Sequence, residues 1–536
     1  MNILCINLTR FGDLLQSAAA LRSLARGDAN RVGLVCLDNF VGGAELLPGV
    51  DAVYPFAAGK VMAKMHGQGI ELDGKKPWMH GLSDLYDWAA KVREHFSPDH
   101  VCNLSPTLSA CLLGQLLAGD AALSGFALDG RGHLRNTTPW ATFMQGSSAS
   151  RASSPFNVVD LFRRIAGDMG TAPDNALMPA PVEAVAAMRD VLRASSPEKI
   201  AGYVALQLGA SAPVRQWPVA SFAETGDTLW ASHRLVPLLL GSKTEAPLGE
   251  EYTKKTNAPF VNLIGKTDIT ELAAALSLSS ALISNDTGTL HLGSGVGIPV
   301  LGIYLATAQV CDTGPYSLDS CALEPDMPCH PCEFGTPCAS GNACRSAITP
   351  ETVIGLVSAR LDTKTWPEPA KSAAFAASGS RIWKTTRDEH GFADLISLSG
   401  HDSDPRARWL GLQRHMYRQF FDDNMPGSFT PTPFPGHAVP GDLGSFIATH
   451  CDTLAALFDA CIVQAGMVLS SPIPQLRERF SRAWERLNAA MAAPPAFVAI
   501  SFVWRNESLA ADGIEHLLPV MQRDRDLFSA IRATLP

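Results

Sequence analysis

The pattern of apolar and polar positions divides the chain into three stretches. In the first stretch, short apolar runs alternate with segments of helical periodicity, which is typical of a parallel sheet covered by helices. These patterns predict strands at residues 2–8, 31–37 and 100–104, and helices at residues 14–25, 82–95, 107–117 and 158–166. Between them, residues 59–81 are polar and rich in glycine and lysine, which indicates either a loop or lid on one side of the sheet or an inert insertion.

The second stretch repeats the same alternation after residues 170–181, which have the composition of a linker. We predict strands at residues 203–208, 235–240, 261–265, 281–284 and 299–304, and helices at residues 269–278 and 289–297. A length of 536 residues is too great for one ordinary core and suits two α/β domains with an additional region.

The third stretch begins near residue 371 and changes to helical periodicity. Helices are predicted at residues 406–421, 445–464 and 474–491, with a proline-rich break at residues 425–440. Such an extension can bind a partner, form an oligomer, shape a ligand site or simply pack against the preceding domain, and the sequence does not choose among these roles.

Residues 285–291, with the sequence NDTGTLH, place an acid, a hydroxyl, a glycine and a histidine between a predicted strand and a predicted helix. A helix that starts here points free N–H groups and its positive dipole end at a ligand, and phosphate is the usual one. Asp286 and His291 add groups that suit a ribose, a sugar hydroxyl or a diphosphate oxygen. The alternative is structural: Asn285 and Asp286 cap the helix and His291 packs beneath it.

A second strand, turn and helix start lies at the N-terminus, where residues 9–13 read TRFGD. Gly12 allows a tight turn, and Asp13 projects from the first helical turn at the carboxyl end of a strand, where open α/β sheets bind ligands. An acidic residue in a first turn is also common compensation for the helix dipole, which is the alternative interpretation of Asp13.

Three ordered motifs carry a resemblance to a known family: the opening strand with GD, the GA...RQWP segment at residues 209–218, and NDTGTLH at residues 285–291. They resemble the ADP-heptose glycosyltransferases, family 9, which includes the lipopolysaccharide core heptosyltransferases. The resemblance runs from Met1 to about residue 360. It implies an α/β fold of the GT-B type, with two Rossmann-like domains that face a central cleft.

The same resemblance implies which part of the chain binds which substrate. Residues 1–175 form the acceptor-side domain and residues 195–365 the nucleotide-sugar domain, and a mainly helical extension covers residues 371–536. Glu245 is expected to accept hydrogen bonds from the ribose, and Thr267 lies in the turn that lines adenine; an exposed, solvated Glu245 is the alternative. Gly209 begins the segment that leads to Arg215.

Together these residues define an expected reaction. Asp13 acts as the general base on the acceptor hydroxyl. Arg215 and the backbone N–H groups of Thr287 and Gly288 stabilise the departing ADP. Attack from the face opposite the leaving group inverts the configuration at the anomeric carbon. The scheme requires no cofactor or divalent metal. A surface role for Arg215 is the alternative.

Two other functions stay open at this point. The chain can be a GT-B transferase with another nucleotide sugar or a protein acceptor, because sugar choice depends on pocket side chains. It can also be a non-catalytic protein that binds ADP-sugar or senses thiol chemistry or a metal.

Charge and hydropathy set the expected partners. A net charge of -9 without a basic block argues against nucleic-acid binding, although Arg163 and Arg164 are candidates for a local basic face. No segment is expected to span a membrane. We therefore expect a cytoplasmic protein with an ADP-heptose donor and a lipopolysaccharide core or other glycan acceptor, in peripheral contact with the inner face of the inner membrane. Two DxD patterns, at Asp402 and Asp524, are interpreted as surface charge.

Six of the twelve cysteines lie between residues 311 and 344. Cys329, Cys332, Cys338 and Cys344 occupy a loop rich in proline and glycine, and four thiolates suit a structural zinc or iron centre. The loop lacks a second CxxC pair, so free or redox-labile thiols are the alternative.

Overall fold

The computed structural model describes residues 1–26, 30–68, 76–148, 150, 153–171, 174–369, 375, 378–423 and 427–536, with no side-chain description at residue 423. The chain forms two compact units. Unit 1 contains Met1–Thr137 and Asn157–Ser399, and unit 2 contains Thr138–Phe156 and Gly400–Pro536.

The first sheet of unit 1 has five parallel strands in the order β3-β2-β1-β4-β5. Its central strands are buried on both faces, as their continuous apolar sequence predicts. The strands are β1 (Asn2–Asn7), β2 (Arg31–Leu37), β3 (Ala52–Phe56), β4 (His100–Asn103) and β5 (Ala122–Gly125). The helices are α1 (Phe11–Gln16), α2 (Ala18–Leu24), α3 (Val41–Ala44), α4 (Ala58–Met65), α5 (Pro77–Phe96) and α6 (Leu108–Ala118).

Two further helices follow β5 in the chain. The helix α7 (Pro139–Ser147) lies in unit 2, and α8 (Val158–Ile165) returns the chain to unit 1. Arg163 is fully buried on α8 in ion pairs with Asp160 and Asp168, and Arg164 is also buried. The expectation of a basic face at these two arginines is therefore wrong, because both guanidinium groups serve the interior of unit 1.

The second sheet has eight strands in the order β13-β12-β11-β10-β9-β6-β7-β8. Six of them are parallel, and β12 and β13 add an antiparallel hairpin at one side. The strands are β6 (Gly202–Gln207), β7 (Leu235–Leu240), β8 (Val261–Asn262), β9 (Ala281–Asn285), β10 (Val300–Ile303), β11 (Ser320–Pro325), β12 (Ser380–Arg387) and β13 (Ala393–Ser397). The helices are α9 (Val182–Ala194), α10 (Val219–His233), α11 (Ala246–Thr253), α12 (Ile269–Ser277), α13 (Gly288–Gly295), α14 (Val310–Thr313), α15 (Cys344–Ala347) and α16 (Pro350–Thr363).

Both sheets have the strand order of a Rossmann-like fold. In the first sheet β1 lies between β2 and β4, and in the second sheet β6 lies between β7 and β9. Each of these places is a topological switch point, where ligands of open α/β sheets bind beyond the strand ends. Helix α1 follows β1 and packs against α13, which follows β9. The prediction of two facing Rossmann-like domains of the GT-B type is confirmed.

Several element boundaries differ from the sequence expectations. The predicted helix at residues 14–25 starts earlier, at Phe11, and breaks at Ser17, whose hydroxyl donates to the Leu14 carbonyl over 2.6 Å. Strands β3, β5 and β11, helix α9 and the β12–β13 hairpin were not predicted. Residues 59–81 form helices where they are described at 59–65 and 77–81; residues 69–75 lie outside the described part.

Unit 2 is helical. It contains α7, α17 (Pro405–Asp423), α18 (Gly441–Ser470), α19 (Pro474–Ala492), α20 (Val498–Ala510) and α21 (Ile514–Ala533), which confirms the helical C-terminal region. The expectation that no segment is suited to span a membrane is wrong on length and composition. An 18-residue window of α18 has a mean hydropathy of 1.7, and 28% of that window is buried. Asp524 is also no surface charge: it is fully buried beside Arg523, and burial raises its pKa to about 7.

Candidate functional site

The two switch points meet through the contact between α1 and α13. Gly12 lies in the first turn of α1, and a Cβ atom there would come within 2.8 Å of the His291 ring. Gly288 opens α13 and packs on the Phe11 ring, which also leaves no room for a side chain. Gly12 therefore serves close helix packing, and the expectation that it makes a turn before the helix is wrong, since α1 begins at Phe11.

Asp13 is the third residue of α1 and is half-buried. It lies in the same turn as Gly12 and therefore close to the start of α13. Its backbone carbonyl accepts a long hydrogen bond of 3.5 Å from the Asn7 side chain, at the end of β1. The structure thus places the predicted base at the junction of the two sheets.

The start of α13 has the free geometry expected of an anion site. Thr287 is the N-cap residue, yet its side chain makes no capping hydrogen bond and instead lies 3.3 Å from the Ser284 hydroxyl. The N-cap residue is thus Thr287, whereas the structural alternative places the cap at Asn285 and Asp286. Among the described residues, the N-cap side chain therefore leaves the first N–H groups of α13 to other partners, as an anion site requires.

Asn285 has a different role, which the sequence reasoning missed. It is fully buried at the end of β9, and its amide donates to the carbonyls of Leu208 (2.9 Å) and Gly209 (3.1 Å). Its carbonyl oxygen accepts from the Trp217 backbone N–H over 2.9 Å. The Asn285 side chain therefore connects β9 by hydrogen bonds to the end of β6 and to the RQWP segment. An asparagine at the end of a fully buried strand, after the apolar residues 281–283, was the available signal.

Arg215 is held beside the start of α13. It ends a 3-10 turn (Pro213–Arg215), its Nη1 donates to the Ser211 hydroxyl over 3.0 Å, and its Nη2 contacts Asp286 Oδ2 closely. The side chains of Arg215 and Asp286 are 12% and 10% exposed. Arg215 Nε is buried and finds no hydrogen-bond partner within the described part of the chain. The guanidinium is thus fixed by two partners, and its Nε donor is not used by either of them.

His291 completes this group from inside α13. Its Nε2 lies 4.0 Å from Asp286 Oδ1, and the ring contacts Gly12 across the junction. Burial lowers the pKa of His291 to about 4, so the imidazole is neutral at physiological pH. His291 therefore contributes shape and a neutral hydrogen-bonding ring, while Arg215 supplies the positive charge.

Glu245 and Gly209 meet at the ends of neighbouring strands. The Glu245 carboxylate accepts from the Ser242 backbone N–H (2.6 Å) and hydroxyl (3.0 Å) and closes a capping box. Its other oxygen lies against the α-carbon of Gly209, where any side chain would collide with it. Glu245 is half-buried and anchored, so it is not the solvated side chain of the alternative interpretation.

Thr267 lies one strand further along the same side of the sheet. It is half-buried, two residues after Gly265, which has a φ of 68°. The α-carbon of Gly265 faces Lys243. A Cβ atom at position 265 would lie only 2.7 Å from Cγ of Lys243. The turns after β7 and β8 are therefore packed together, which brings Thr267 near the strand ends that carry Gly209 and Glu245.

The four clustered cysteines remain thiols without a disulfide. Burial, with a smaller contribution from the neighbouring cysteines, raises the pKa of the Cys332 thiol, and burial also raises the pKa of the Cys344 thiol. Cys338 is exposed, accepts from the Asn342 backbone N–H over 3.2 Å, and has a lowered pKa because of bonds with Ser340 and Asn342. Within the described residues, no three His, Cys, Asp or Glu side chains are arranged to hold a metal ion. Zinc or iron at Cys329 and its neighbours stays a prediction.

Comparisons with known proteins bear on the second sheet in particular. Residues 176–343 match the model of glycosyltransferase family 9 (heptosyltransferase). Lipooligosaccharide heptosyltransferase 2 of Haemophilus influenzae is 29% identical over 100 residues, which are 18% of this chain and 29% of that protein. The protein of the same name from Campylobacter jejuni is 27% identical over 153 residues, 28% of this chain and 48% of that protein. The chain thus spans less than half the length of these relatives.

Structural similarity covers more of the chain. The solved structure of E. coli ADP-heptose lps heptosyltransferase II aligns with a TM-score of 0.50 and 17% identity, over 68% of this chain and 99% of that one. At this identity the likeness concerns the fold. The sequence match contains Gly209, Arg215, Glu245 and residues 285–291, whereas Gly12 and Asp13 precede it.

Proposed function

We propose that this chain, whose resemblance to glycosyltransferase family 9 is confirmed over residues 176–343, is an inverting transferase that moves heptose from ADP-heptose to a lipopolysaccharide core or related glycan. The observation that carries the proposal is the junction of α1 and α13. There the uncapped helix start and Arg215 face the turn that bears Asp13.

The donor lies on the second sheet in this proposal. The N–H groups of Thr287 and Gly288 bind the diphosphate at the helix start, and Arg215 neutralises the charge that develops on the leaving ADP. Arg215 is already desolvated and oriented, so little reorganisation accompanies the reaction. Glu245 binds the ribose from its capped position between β6 and β7, and Thr267 lies along the adenine.

Asp286 acts on the donor through Arg215. Its carboxylate holds the guanidinium in place and lies near the neutral His291 ring, so the excess positive charge over the start of α13 is small before the donor binds. The entering diphosphate then meets the exposed part of the Arg215 guanidinium together with the helix dipole. Asp286 is therefore a positioning residue in this scheme.

The acceptor is activated from the first sheet. Asp13 accepts the proton of the attacking hydroxyl as that oxygen bonds to the anomeric carbon and the bond to ADP breaks. A base on one side of the sugar and the leaving group on the other produce inversion. Helix N–H groups and Arg215 supply the stabilisation of the leaving group, so the scheme uses no divalent metal. We place the enzyme in the cytoplasm, at the inner face of the inner membrane.

ADP release by the purified full-length chain tests this function. We expect release from ADP-heptose that depends on a lipid A core acceptor and that persists in excess EDTA. ADP-glucose serves as the control donor and should turn over poorly. Faster release from another nucleotide sugar would replace the donor assignment, and tight binding of ADP-heptose without turnover on any glycan or protein acceptor would favour a non-catalytic protein. No binding of any nucleotide sugar would contradict the proposal.

A further inference from the structure

Helix α18 has the same residue spacing on two opposite faces. Its buried face repeats at intervals of four and three residues, through Cys451, Leu454 and Phe458, and packs against α19 and α21. Its exposed face repeats the alternation at positions 446, 449, 453, 456, 460, 463, 467 and 470, all of which are exposed. We call these eight residues the outer seam. An average interval of 3.5 residues is the repeat by which one helix packs lengthwise along another.

The outer seam is uncharged and apolar for a surface that faces water. None of its eight residues is charged, and α18 contains no lysine or arginine. The exposed fractions are 41% for Phe446, 54% for Val463 and 43% for Met467. A surface helix normally presents charged and polar side chains to solvent. The outer seam therefore has the composition of a contact face, and the described part of the chain does not cover it.

The polar atoms of the outer seam already have partners within the helix. The hydroxyls of Thr449, Thr453 and Ser470 each donate to the carbonyl four residues earlier, over 2.9 Å in each case. A hydroxyl that keeps its hydrogen bond can be removed from water at little cost, and it presents its carbon atoms outward. The seam can therefore be buried against a partner without leaving an unsatisfied group.

Acidic side chains beside the outer seam favour a protein occupant. Asp452 and Asp459 are exposed next to seam positions 453 and 460, and they form ion pairs with Arg532 (2.9 Å) and Arg525 (3.2 Å) of α21. Ionised groups at these positions oppose entry of the helix into a bilayer. Because each acid is balanced by its own arginine, they do not repel a protein partner with the same neutral border.

Residue size along the outer seam fits a second copy in antiparallel orientation. When two copies pair around the midpoint of the seam, large side chains face small ones toward both ends and alanines meet near the centre, which allows close packing. The facing pairs are Phe446 with Ser470, Thr449 with Met467, Thr453 with Val463, and Ala456 with Ala460. Parallel pairing would instead place each residue against itself, with two phenylalanines in one layer and two serines in another.

The charges at the two ends of α18 fit the same orientation. Asp442 is exposed in the first turn of α18. Arg477 is exposed beside the other end, where it lines a cavity together with Val468 and Leu469. Antiparallel copies place the acid of one copy near the arginine of the other, and the positive dipole end of one helix beside the negative end of its mate. Parallel copies would bring like charges and like dipole ends together.

From these observations we infer that the outer seam of α18 is the interface with a second copy of this chain, which pairs antiparallel about a twofold axis. The seam is about 36 Å long at 1.5 Å per residue, which is short for a protein interface and indicates a Kd on the order of micromolar. This pairing does not rest on the proposed function.

Sedimentation velocity of the full-length chain over a range of about 0.5 to 100 μM tests the inference. The average mass should rise with concentration from 57.1 kDa toward twice that value. A456E places a charge at the centre of the seam and should raise the Kd at least about tenfold. Its thermal midpoint should not change, because position 456 is exposed on the helix. A489E alters an exposed alanine of α19 and is the matched control, which should dimerise like the wild type.

T453E and V463K test the orientation. Each substitution alone places a charge against a neutral side chain of the second copy and should raise the Kd at least about tenfold. In the combined variant, antiparallel pairing sets each introduced carboxylate against an introduced ammonium group. The Kd should therefore return to within about threefold of the wild-type value. Parallel pairing would oppose like charges and give no recovery.

Three results would overturn the inference. The first is a wild type that stays monomeric over the whole concentration range. The second is dimerisation that A456E leaves unchanged, or two weakened single variants, T453E and V463K, without recovery in the combined one. The third is a monomeric wild type that floats with phospholipid vesicles and loses this binding in A456E, which would assign the outer seam to lipid.

Discussion

The two sheets of unit 1 end in different chemistry. At the second sheet, polar side chains hold one another in place: Asn285 joins three backbone segments, Glu245 closes a capping box, and Arg215 is fixed by Asp286. At the first sheet, one half-buried carboxylate, Asp13, lies in the first turn of α1. The contrast teaches that the second sheet is preorganised for a compact charged ligand, while the first sheet contributes a single carboxylate at the junction.

The largest expected effect is the loss of kcat on substitution of Asp13, at the end of the first sheet. We expect Asp13→Asn to lower kcat by about 10²- to 10⁴-fold, since the amide cannot accept the hydroxyl proton. Steady-state ADP release with saturating donor and acceptor measures this effect. Asp38→Asn, at another strand end of the same sheet, is the control and should keep activity; equal losses in both variants would remove the special role of Asp13.

Arg215 tests the preorganised side. Arg215→Ala should lower kcat/KM for ADP-heptose about 10²-fold or more, because the leaving diphosphate loses its cation. Arg215→Lys keeps the charge but loses the fork toward Asp286 and Ser211, so we expect a smaller loss. Arg193→Ala on α9 is a neutral control. Indistinguishable kinetics of the alanine variant and the wild type would place the donor elsewhere.

Asn285 tests whether the order of the second sheet depends on one side chain. Asn285→Ala removes four hydrogen bonds and leaves buried carbonyls without this donor, which should lower the free energy of unfolding by about 2–4 kcal/mol. Urea unfolding measures the change. The exposed Asn257→Ala should cost less than about 0.5 kcal/mol. A loss of similar size in both variants would show that the buried network carries no special stability.

His291 predicts a dependence of stability on pH. Burial lowers its folded-state pKa to about 4, below the usual value of about 6.5 in the unfolded chain. Below pH 6.5 the unfolded state therefore binds a proton that the folded state refuses, so stability falls as the pH decreases toward 4. Between pH 7.5 and pH 5, His291 should account for about 2 kcal/mol of this loss. Over the same pH range, we expect the free energy of unfolding of His291→Gln to fall by that much less than the wild type's. An equal fall in both proteins would contradict a buried neutral ring at His291.

Gly12 tests the contact between the two sides. Gly12→Ala should destabilise the fold by about 1–3 kcal/mol through collision with the His291 ring, and this cost should shrink by at least about 0.5 kcal/mol in a His291→Ala background. The contrasting control is Gly59→Ala on α4, which meets no neighbour within 4 Å and should be neutral or slightly stabilising. Additive effects of Gly12→Ala and His291→Ala would mean that the helices do not touch there.

Much of the fold follows from local pattern. Strands such as β2 and β7 are continuous apolar runs, and their predicted bounds agree with the structure. Strand β3 escaped prediction because it contains a proline and lies half-exposed at the side of its sheet, and β5 because it is only four residues long. The hairpin of β12 and β13 follows helix α16 in a region of mixed pattern. The spacing of apolar residues there does not predict that the chain rejoins the sheet beside β11.

The site was less accessible to sequence reasoning than the fold. Motif likeness indicated Arg215 and residues 285–291, but the role of Asn285 depends on carbonyls about 76 residues earlier in the chain. The steric role of Gly12 depends on a ring nearly 280 residues later. Such long-range contacts leave no local pattern. Residue type therefore suggested a helix cap at Asn285 and a turn at Gly12, whereas the structure shows hydrogen bonds between strands at Asn285 and close helix packing at Gly12.

The central claim is that the second sheet binds the donor and the first sheet activates the acceptor. Calorimetric titration of ADP-heptose into Asp13→Asn and into Arg215→Ala, each beside the wild type, tests it most directly. The account predicts that Asp13→Asn binds the donor within about threefold of the wild-type Kd, while Arg215→Ala binds it at least about tenfold more weakly. Loss of donor binding in Asp13→Asn, or wild-type binding in Arg215→Ala, would contradict the claim.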